Sequence, residues 1–220
     1  MHRRRRRTAL VVSSAAMLAA APLLTACGSD THPGAAAVVG GERISVAQLQ
    51  GRVGEVRAAQ RSAVQDDSQY QQVVARSGSL TRDTLQSMVR DRVLHKAASD
   101  AGVKVSSRDV QALRTSMEQG AGGPKALEAT WLQRYGVAPE RLDESLRTEA
   151  EARKLYDRLG VDGSGAAGQA AFWKRLSEAS KSLRIDLNPR YGAWDDTKST
   201  RAEARTPWLR DVSAAPRKQA

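Results

Sequence analysis

The sequence predicts a mainly α-helical fold with a small β element, and three observations support this. Aromatic residues make up only 4% of the 220 residues, fewer than a β-sandwich of this length would need. Apolar residues recur at three- and four-residue steps over most of the chain, which is the period of one helix face. Strand-like segments lie only near the two ends of the predicted folded region, so we expect those ends to form the β element.

The first 26 residues are predicted to be a lipoprotein signal peptide. Arg3–Arg7 form a basic n-region, and the apolar run Thr8–Leu24 is too short and too rich in alanine and serine for a transmembrane helix. The motif Leu24-Thr25-Ala26-Cys27 resembles a bacterial lipobox, whose cysteine becomes the lipid-modified first residue. We therefore predict lipid attachment at Cys27 and a location at the extracytoplasmic face of the cell membrane. An ordinary signal cleavage near Cys27 is the alternative, and both the Sec and the twin-arginine export routes are open.

The net charge of +11 first suggests a nucleic-acid partner. The five arginines of the signal peptide account for much of this charge, because their removal leaves 30 basic and 24 acidic residues over 194 positions. An exported protein is separated from the genome, and no basic patch is interleaved with aromatic residues. We therefore expect no nucleic-acid partner.

The mature chain begins with a predicted tether, residues 27–36, because this segment is small, polar and aperiodic. A folded region, residues 37–195, follows and opens with Gly40-Gly41 between two segments that contain β-branched residues, which indicates a hairpin. Ser45, with Gln48 three positions later, forms a capping box that predicts a helix ending at about Gln65. The polar stretch Asp66–Ser79 is predicted to interrupt the helices.

Five more helices are predicted beyond residue 79 from apolar periodicity and end signals. They cover residues 80–101, a short segment after the capping residue Ser106, residues 124–135, residues 139–160 and residues 169–182. Leu183, Ile185 and Leu187 then alternate with charged residues, which indicates a half-buried strand. Since a lone strand leaves an unpaired edge, we expect the strand at residues 42–45 to pair with the one at residues 183–187.

Residues 196–220 are predicted to be a disordered basic tail, because they are charged, contain proline and lack periodicity. Six basic and two acidic residues lie between Lys198 and Ala220. Such a tail either keeps the protein soluble or is attracted to anionic lipid headgroups and wall polymers.

The order of these parts resembles the N-terminal chaperone domain of the SurA family, which has relatives among PrsA-type foldases and trigger factor. The resemblance rests on residues 37–45 (AVVGGERIS) before a helix, the glycine-rich pattern of residues 122–137, Glu140-Arg141-Leu142 at a helix start, and residues 183–195 (LRIDLNPRYGAWD). It covers about residues 37–195. It implies a helical chaperone domain closed by its terminal strand, whose partners are unfolded or nascent secreted polypeptides.

An enzymatic role is not expected. Members of this family can carry parvulin isomerase domains between the long helix and the terminal element. The corresponding segment here, Gly160–Gly168, has nine residues, against roughly a hundred for a small domain. His2, His32 and His95 are far apart in sequence, and no serine has the setting of a nucleophile elbow. We predict no catalytic residue, no metal site and no cofactor.

Met88, Met117, Trp131 and Tyr135 are the predicted client-binding residues, because methionine and aromatic side chains adapt to varied partners. They would line a concave surface between the helices. The alternative is that each of them simply belongs to the hydrophobic core. The predicted function is a non-enzymatic, membrane-anchored holdase, with a structural or adaptor lipoprotein that holds one envelope partner as the alternative.

Overall fold

The computed structural model of the chain describes residues 33–64, 66–160 and 165–203. The predicted signal peptide, the predicted lipid attachment site Cys27 and the tail beyond residue 203 lie outside the described residues. Within these three ranges the chain forms seven α-helices and five short strands, so the predicted mainly α-helical class is confirmed. None of the helices in this part of the chain is long and apolar enough to cross a membrane.

Seven helices carry the fold. They are α1 (Val46–Ser62), α2 (Asp67–Arg76), α3 (Leu80–Asp100), α4 (Ser107–Ala121), α5 (Pro124–Tyr135), α6 (Leu142–Leu159) and α7 (Ala166–Leu183). The strands are β1 (Ala35–Val39), β2 (Glu42–Ser45), β3 (Asp186–Leu187), β4 (Ala193–Asp195) and β5 (Thr200–Ala202). The six predicted helices all form, and α2 is an addition to them.

Capping boxes begin two of the helices where the sequence predicts them. Ser45 Oγ accepts a hydrogen bond from the Gln48 N–H at 3.0 Å, and Gln48 Oε1 accepts one from the Ser45 N–H at 2.8 Å. Ser106 and Asp109 form the same reciprocal pair at the start of α4. Left-handed glycines end α4, α5 and α6, which is the usual way to stop a helix.

A three-stranded antiparallel sheet joins the two ends of the described chain, with the strand order β2-β1-β3. In the central strand, Ala37 pairs with Ile44 on one side and with Leu187 on the other. The predicted pairing of N-terminal and C-terminal segments is therefore confirmed. The direct pairing of residues 42–45 with residues 183–187 is wrong, because the apolar strand β1 lies between them and the charged strand β2 takes the edge.

The predicted tether and strand boundaries also need correction. Ala35 and Ala36, assigned to the tether, are fully buried in β1. The predicted strand at residues 183–187 is reduced to Asp186–Leu187, because α7 continues to Leu183. Small alanine side chains carry a weak strand signal, so the sequence does not indicate that β1 begins at Ala35.

The polar stretch at residues 66–79, which is predicted to interrupt the helices, contains α2. Asp66 begins this helix, since its Oδ1 accepts a hydrogen bond from the Gln69 N–H at 2.8 Å. Of its described residues, none is fully buried, so α2 lacks the apolar face on which the prediction depended.

The first residues of the predicted disordered tail form the turn and second strand of a hairpin, in which β4 and β5 pair antiparallel. Polar contacts hold it. Asp195 Oδ1 accepts hydrogen bonds from the Thr197 and Lys198 N–H groups at 2.9 and 3.0 Å. The Trp194 Nε1–H donates to Ser180 Oγ of α7 at 2.7 Å. The assignment of disorder to residues 196–202 is therefore wrong. The hairpin is held by hydrogen bonds, which produce no apolar periodicity from which it could be predicted.

The buried side chains divide into three clusters, and the half-buried Leu183, Ile185 and Trp194 pack against both of the first two. The sheet cluster joins the sheet to α1 and the first half of α3 through Ala36, Ala37, Val39, Ile44, Leu49, Val53, Leu85, Val89, Leu187 and Tyr191. The central cluster joins α3, α6 and α7 through Val93, Leu94, Ala97, Leu155, Phe172, Leu176 and Ala179. The arm cluster joins α4, α5 and α6 through Val110, Leu127, Leu142 and Leu146.

Ser180→Ala tests the attachment of the hairpin. Ser180 is fully buried, accepts from Trp194 and donates to Asp196 Oδ1 at 2.8 Å, so its loss leaves two polar groups without a partner. We expect the free energy of unfolding to fall by about 1–3 kcal/mol, measured by urea denaturation followed by circular dichroism. Ser182→Ala is the control, because the exposed Ser182 hydroxyl only donates to a carbonyl of its own helix. Equal effects of the two variants would contradict the proposed role of Ser180.

Candidate functional site

Three neighbouring cavities surround α3. The aromatic cleft, about 730 Å³, is bounded by α3 to α7 and lined by Met117, Trp131, Tyr135, Tyr156 and Phe172. The charged groove, about 920 Å³, runs along α1, α3 and α6 and is lined by Arg52, Glu55, His95, Glu144 and Glu151. The small cavity, about 340 Å³, lies between α1, α3 and α5 and is lined by Met88, Leu132, Tyr135 and Val137.

The aromatic cleft brings together side chains from distant parts of the chain. The rings of Tyr156 and Phe172 stack at 4.3 Å between centroids, and those of Trp131 and Tyr135 are tilted at 5.1 Å. The indole Nε1–H of Trp131 donates to Ser145 Oγ at 3.1 Å, which fixes this ring and leaves its apolar body towards the cleft. Tyr135 is 53% exposed. The cleft therefore offers preorganised aromatic surface that a partner can cover.

Charged side chains stand around the rim of the cleft. Arg153 and Glu149 form an ion pair at 2.9 Å on α6, and the Arg134 guanidinium lies 5.7 Å from the centroid of the Tyr135 ring. Exposed charges of both signs keep an apolar surface soluble and limit its self-association. The arrangement fits a surface that binds apolar chains reversibly.

The four predicted client-binding residues all line cavities, although not the same one. Met117, Trp131 and Tyr135 lie in the aromatic cleft, whereas Met88 lines the small cavity and the charged groove. Tyr135 also lines the small cavity and so borders two of the three spaces. Met88, Met117 and Trp131 are half-buried and also pack against the sheet or arm clusters, so their contribution to the core accompanies their exposure to the cavities.

Ion pairs join α1 to the start of α6 across the charged groove. Arg141 forms a two-pronged contact with Glu55, with Nε to Oε2 at 2.8 Å and Nη2 to Oε1 at 2.7 Å. Arg52 pairs with Glu144 beside it. The hydrogen bond from Arg141 holds the pKa of Glu55 below its usual value, and the same bond raises the pKa of Arg141. These paired charges keep the two helices linked while the space beneath them stays open.

Asp91 of α3 is the residue that lines all three cavities. Its carboxyl group is half-buried. Burial is the main cause that raises its pKa to about 6, with a smaller contribution from Glu144 and Glu151, while Arg52 and Arg90 act in the opposite direction. Asp91 is therefore a carboxylate whose charge is costly in the empty protein.

Sequence reasoning missed Tyr156 and Asp91 as site residues. Asp91 lies three positions after Met88 and four before His95, so the three share one helix face. A carboxylate between a methionine and a histidine on that face was the available signal. Tyr156 adjoins the buried Leu155, and its pairing with Phe172 depends on the packing of α6 against α7, which no local pattern in the sequence specifies.

Chemistry other than binding has little support in this part of the chain. His95 Nδ1 lies 2.9 Å from Glu151 Oε1, but the imidazole is 72% exposed, and no nucleophilic side chain is hydrogen-bonded to it among the described residues. Across residues 33–64, 66–160 and 165–203, no group of three or more histidine, cysteine, aspartate or glutamate side chains is placed to hold a metal ion.

Asp91→Asn tests the cost of the buried charge. The Asp91 pKa of about 6 in the fold lies above its usual value of 3.8, so the folded protein binds the proton more tightly than the unfolded chain. Stability should therefore rise as pH falls from 7 to 4 through this group. We expect Asp91→Asn to be more stable than the parent at neutral pH by about 1–3 kcal/mol.

The measurement is urea denaturation of both proteins across this pH range. The difference between them should shrink as Asp91 of the parent becomes protonated. A difference that stays constant with pH, or a variant less stable than the parent at neutral pH, would contradict this account of Asp91.

Comparison with known proteins agrees with the helical architecture. The model of the SurA-like N-terminal domain family matches residues 2–156, so α7 and the strands after it lie beyond the matched region. No curated protein and no solved structure matches the chain. The family is of the chaperone type, is not catalytic and binds polypeptides in general. Because its model covers well over half of the sequence, the chain belongs to the SurA-like N-terminal domain family.

Proposed function

We propose that this protein is a membrane-anchored extracytoplasmic holdase that binds unfolded secreted polypeptides in its aromatic cleft. The observation that supports the proposal best is the cleft itself, because Met117, Trp131 and Tyr135 meet Tyr156 and Phe172 around an open space. Its volume of about 730 Å³ accommodates a few apolar side chains of an extended segment. Unfolded chains expose such side chains, whereas folded proteins bury most of them.

Binding of this kind needs no chemical energy. Burial of apolar side chains in the cleft contributes roughly 25 cal/mol per Å² removed from water, and the cost of ordering the bound chain offsets much of that gain. The resulting affinity is modest, so a client is released when it folds and buries the same side chains. Open cavities and a charged rim suit this reversible exchange better than a closed pocket would.

The anchor belongs to the same proposal. Lipid chains on Cys27 would keep the cleft near the site where secreted chains leave the membrane, and two or more acyl chains give stable attachment. Residues 28–34 span roughly 25 Å when extended, so the cleft would reach clients that are still close to the bilayer. The single cysteine of the sequence is the residue that carries this part of the proposal.

Tyr135→Ala tests the aromatic cleft. The purified protein should suppress the aggregation of a chemically unfolded client without ATP, as measured by light scattering. Because Tyr135 is largely exposed, its loss should leave folding intact and raise the concentration needed for half-suppression by about three- to tenfold.

Tyr70→Ala is the matched control, since Tyr70 lies on α2 outside all three cavities and contacts Arg61. Equal activity of the two variants would place client binding elsewhere. No suppression by the parent protein at several-fold molar excess would overturn the holdase proposal. Recovery of one stoichiometric partner in pull-downs would instead favour the adaptor alternative.

Cys27→Ser tests the anchor. Expressed in a bacterium that processes lipoproteins, the parent protein should sediment with membranes and the variant should not. The membranes are washed with concentrated salt, because screening removes any attraction of the basic tail to anionic lipids. An unmodified Cys27 in mass spectra of the mature protein, or a variant that stays in the washed membranes, would contradict lipid anchoring.

A further inference from the structure

Asp91 is an acidic side chain that lines all three cavities. Within the described ranges no side chain donates a hydrogen bond to it or forms an ion pair with it. Asp91 lines both the aromatic cleft and the small cavity, and Tyr135 borders both of these spaces. A chain that covers Tyr135 therefore lies within reach of Asp91.

Most of the cations that line the cavities beside Asp91 are engaged by other groups. On α1, Arg52 pairs with Glu144, and at the start of α6 Arg141 pairs with Glu55. Arg92 lies next to Glu42, Arg147 donates to the Val105 carbonyl, and Arg153 pairs with Glu149. Arg90 precedes Asp91 directly and leaves the helix on a different face, and the charges of Arg90 and Arg52 only partly offset the rise in the Asp91 pKa.

The remaining charged groups around Asp91 include Arg134, whose guanidinium lies over the Tyr135 ring, and acids of α6. Glu144 and Glu151 of α6 act on its charge from across the groove, and His95 contacts Glu151 rather than Asp91. An additional cation in this space would meet a carboxylate that forms no ion pair within the described ranges, with two further acids close by, whereas an additional anion would meet repulsion from all three. The charge of the site is thus complementary to a basic group.

We propose that Asp91 selects client segments in which a lysine or arginine lies next to apolar residues, and that it receives this basic side chain while the apolar residues occupy the aromatic cleft. This inference rests on the proposed holdase function and adds the chemistry of the client to it. A lysine or arginine has an apolar stem that can pass along Met88 and Tyr135 before its charge reaches the carboxylate. The raised pKa of Asp91 fits this role, because a bound cation would offset the cost of the carboxylate charge.

Labelled peptides of about ten residues, roughly 35 Å when extended, test the proposal by fluorescence anisotropy with the full chain. All share one apolar and aromatic sequence, and one central position carries lysine, acetyl-lysine or glutamate. Acetyl-lysine keeps the stem of lysine and removes its charge, so the pair isolates the cation. We expect the lysine peptide to bind the parent protein about tenfold more tightly than the acetyl-lysine peptide, and the glutamate peptide to bind most weakly.

Asp91→Asn should reduce the preference for lysine to less than about twofold while the acetyl-lysine peptide binds as before. Asp157→Asn is the matched control, because Asp157 is an exposed acid of α6 outside the three cavities, and it should keep the tenfold preference. Equal binding of the lysine and acetyl-lysine peptides to the parent, or an undiminished preference in Asp91→Asn, would overturn the role of Asp91 and leave the holdase proposal standing. Failure of every peptide to bind the parent would overturn both.

Discussion

The central strand β1 is the constraint on which the rest of the structure depends. It is hydrogen-bonded on both sides, to β2 near it in sequence and to β3 about 150 residues away. Ala35, Ala36 and Ala37 are completely buried, and their small side chains let Leu85 and Val89 of α3 pack directly on the sheet. Two further backbone contacts, Gly40 N–H to the Leu183 carbonyl at 2.6 Å and Asn188 N–H to the Ala36 carbonyl at 2.9 Å, close the ends against each other.

Closure of the ends fixes α3, and the remaining helices are held so that space stays open beside it. The arm cluster of α4, α5 and α6 has only four buried members, and polar pairs such as Arg141 with Glu55 connect it to α1. Apolar side chains in the place of these ion pairs would instead occupy the space between α1 and the start of α6. Half-exposed ion pairs contribute only about 0–1 kcal/mol each, so the link fixes the geometry without making the arms rigid against a bound chain.

Much of the fold was predictable because local signals mark it. The capping boxes at Ser45 and Ser106 and the glycine after α5 set the ends of helices through contacts between near neighbours in sequence. The central position of β1 and the β4–β5 hairpin were not predictable, since they depend on alanines packed under α3 and on the Trp194 contact with Ser180. The same distinction between local signals and tertiary packing applies to the aromatic cleft. Residue type singled out Trp131 and Tyr135, whereas the partnership of Tyr156 with Phe172 required the packing of α6 on α7.

In the proposed function, an open cleft lined by aromatic rings would accept any apolar segment and would not discriminate between segments. The half-buried carboxylate of Asp91 would have the opposite effect, because at neutral pH an occupant that carries a cation offsets the cost of its charge and a neutral occupant does not. The binding free energy of a basic occupant would therefore include the electrostatic cost of the Asp91 charge that it offsets, whereas a neutral occupant would gain nothing from this source. In this way Asp91 would bias a general binding surface towards one class of chain, while the rings of the aromatic cleft continue to accept varied apolar neighbours of the basic residue.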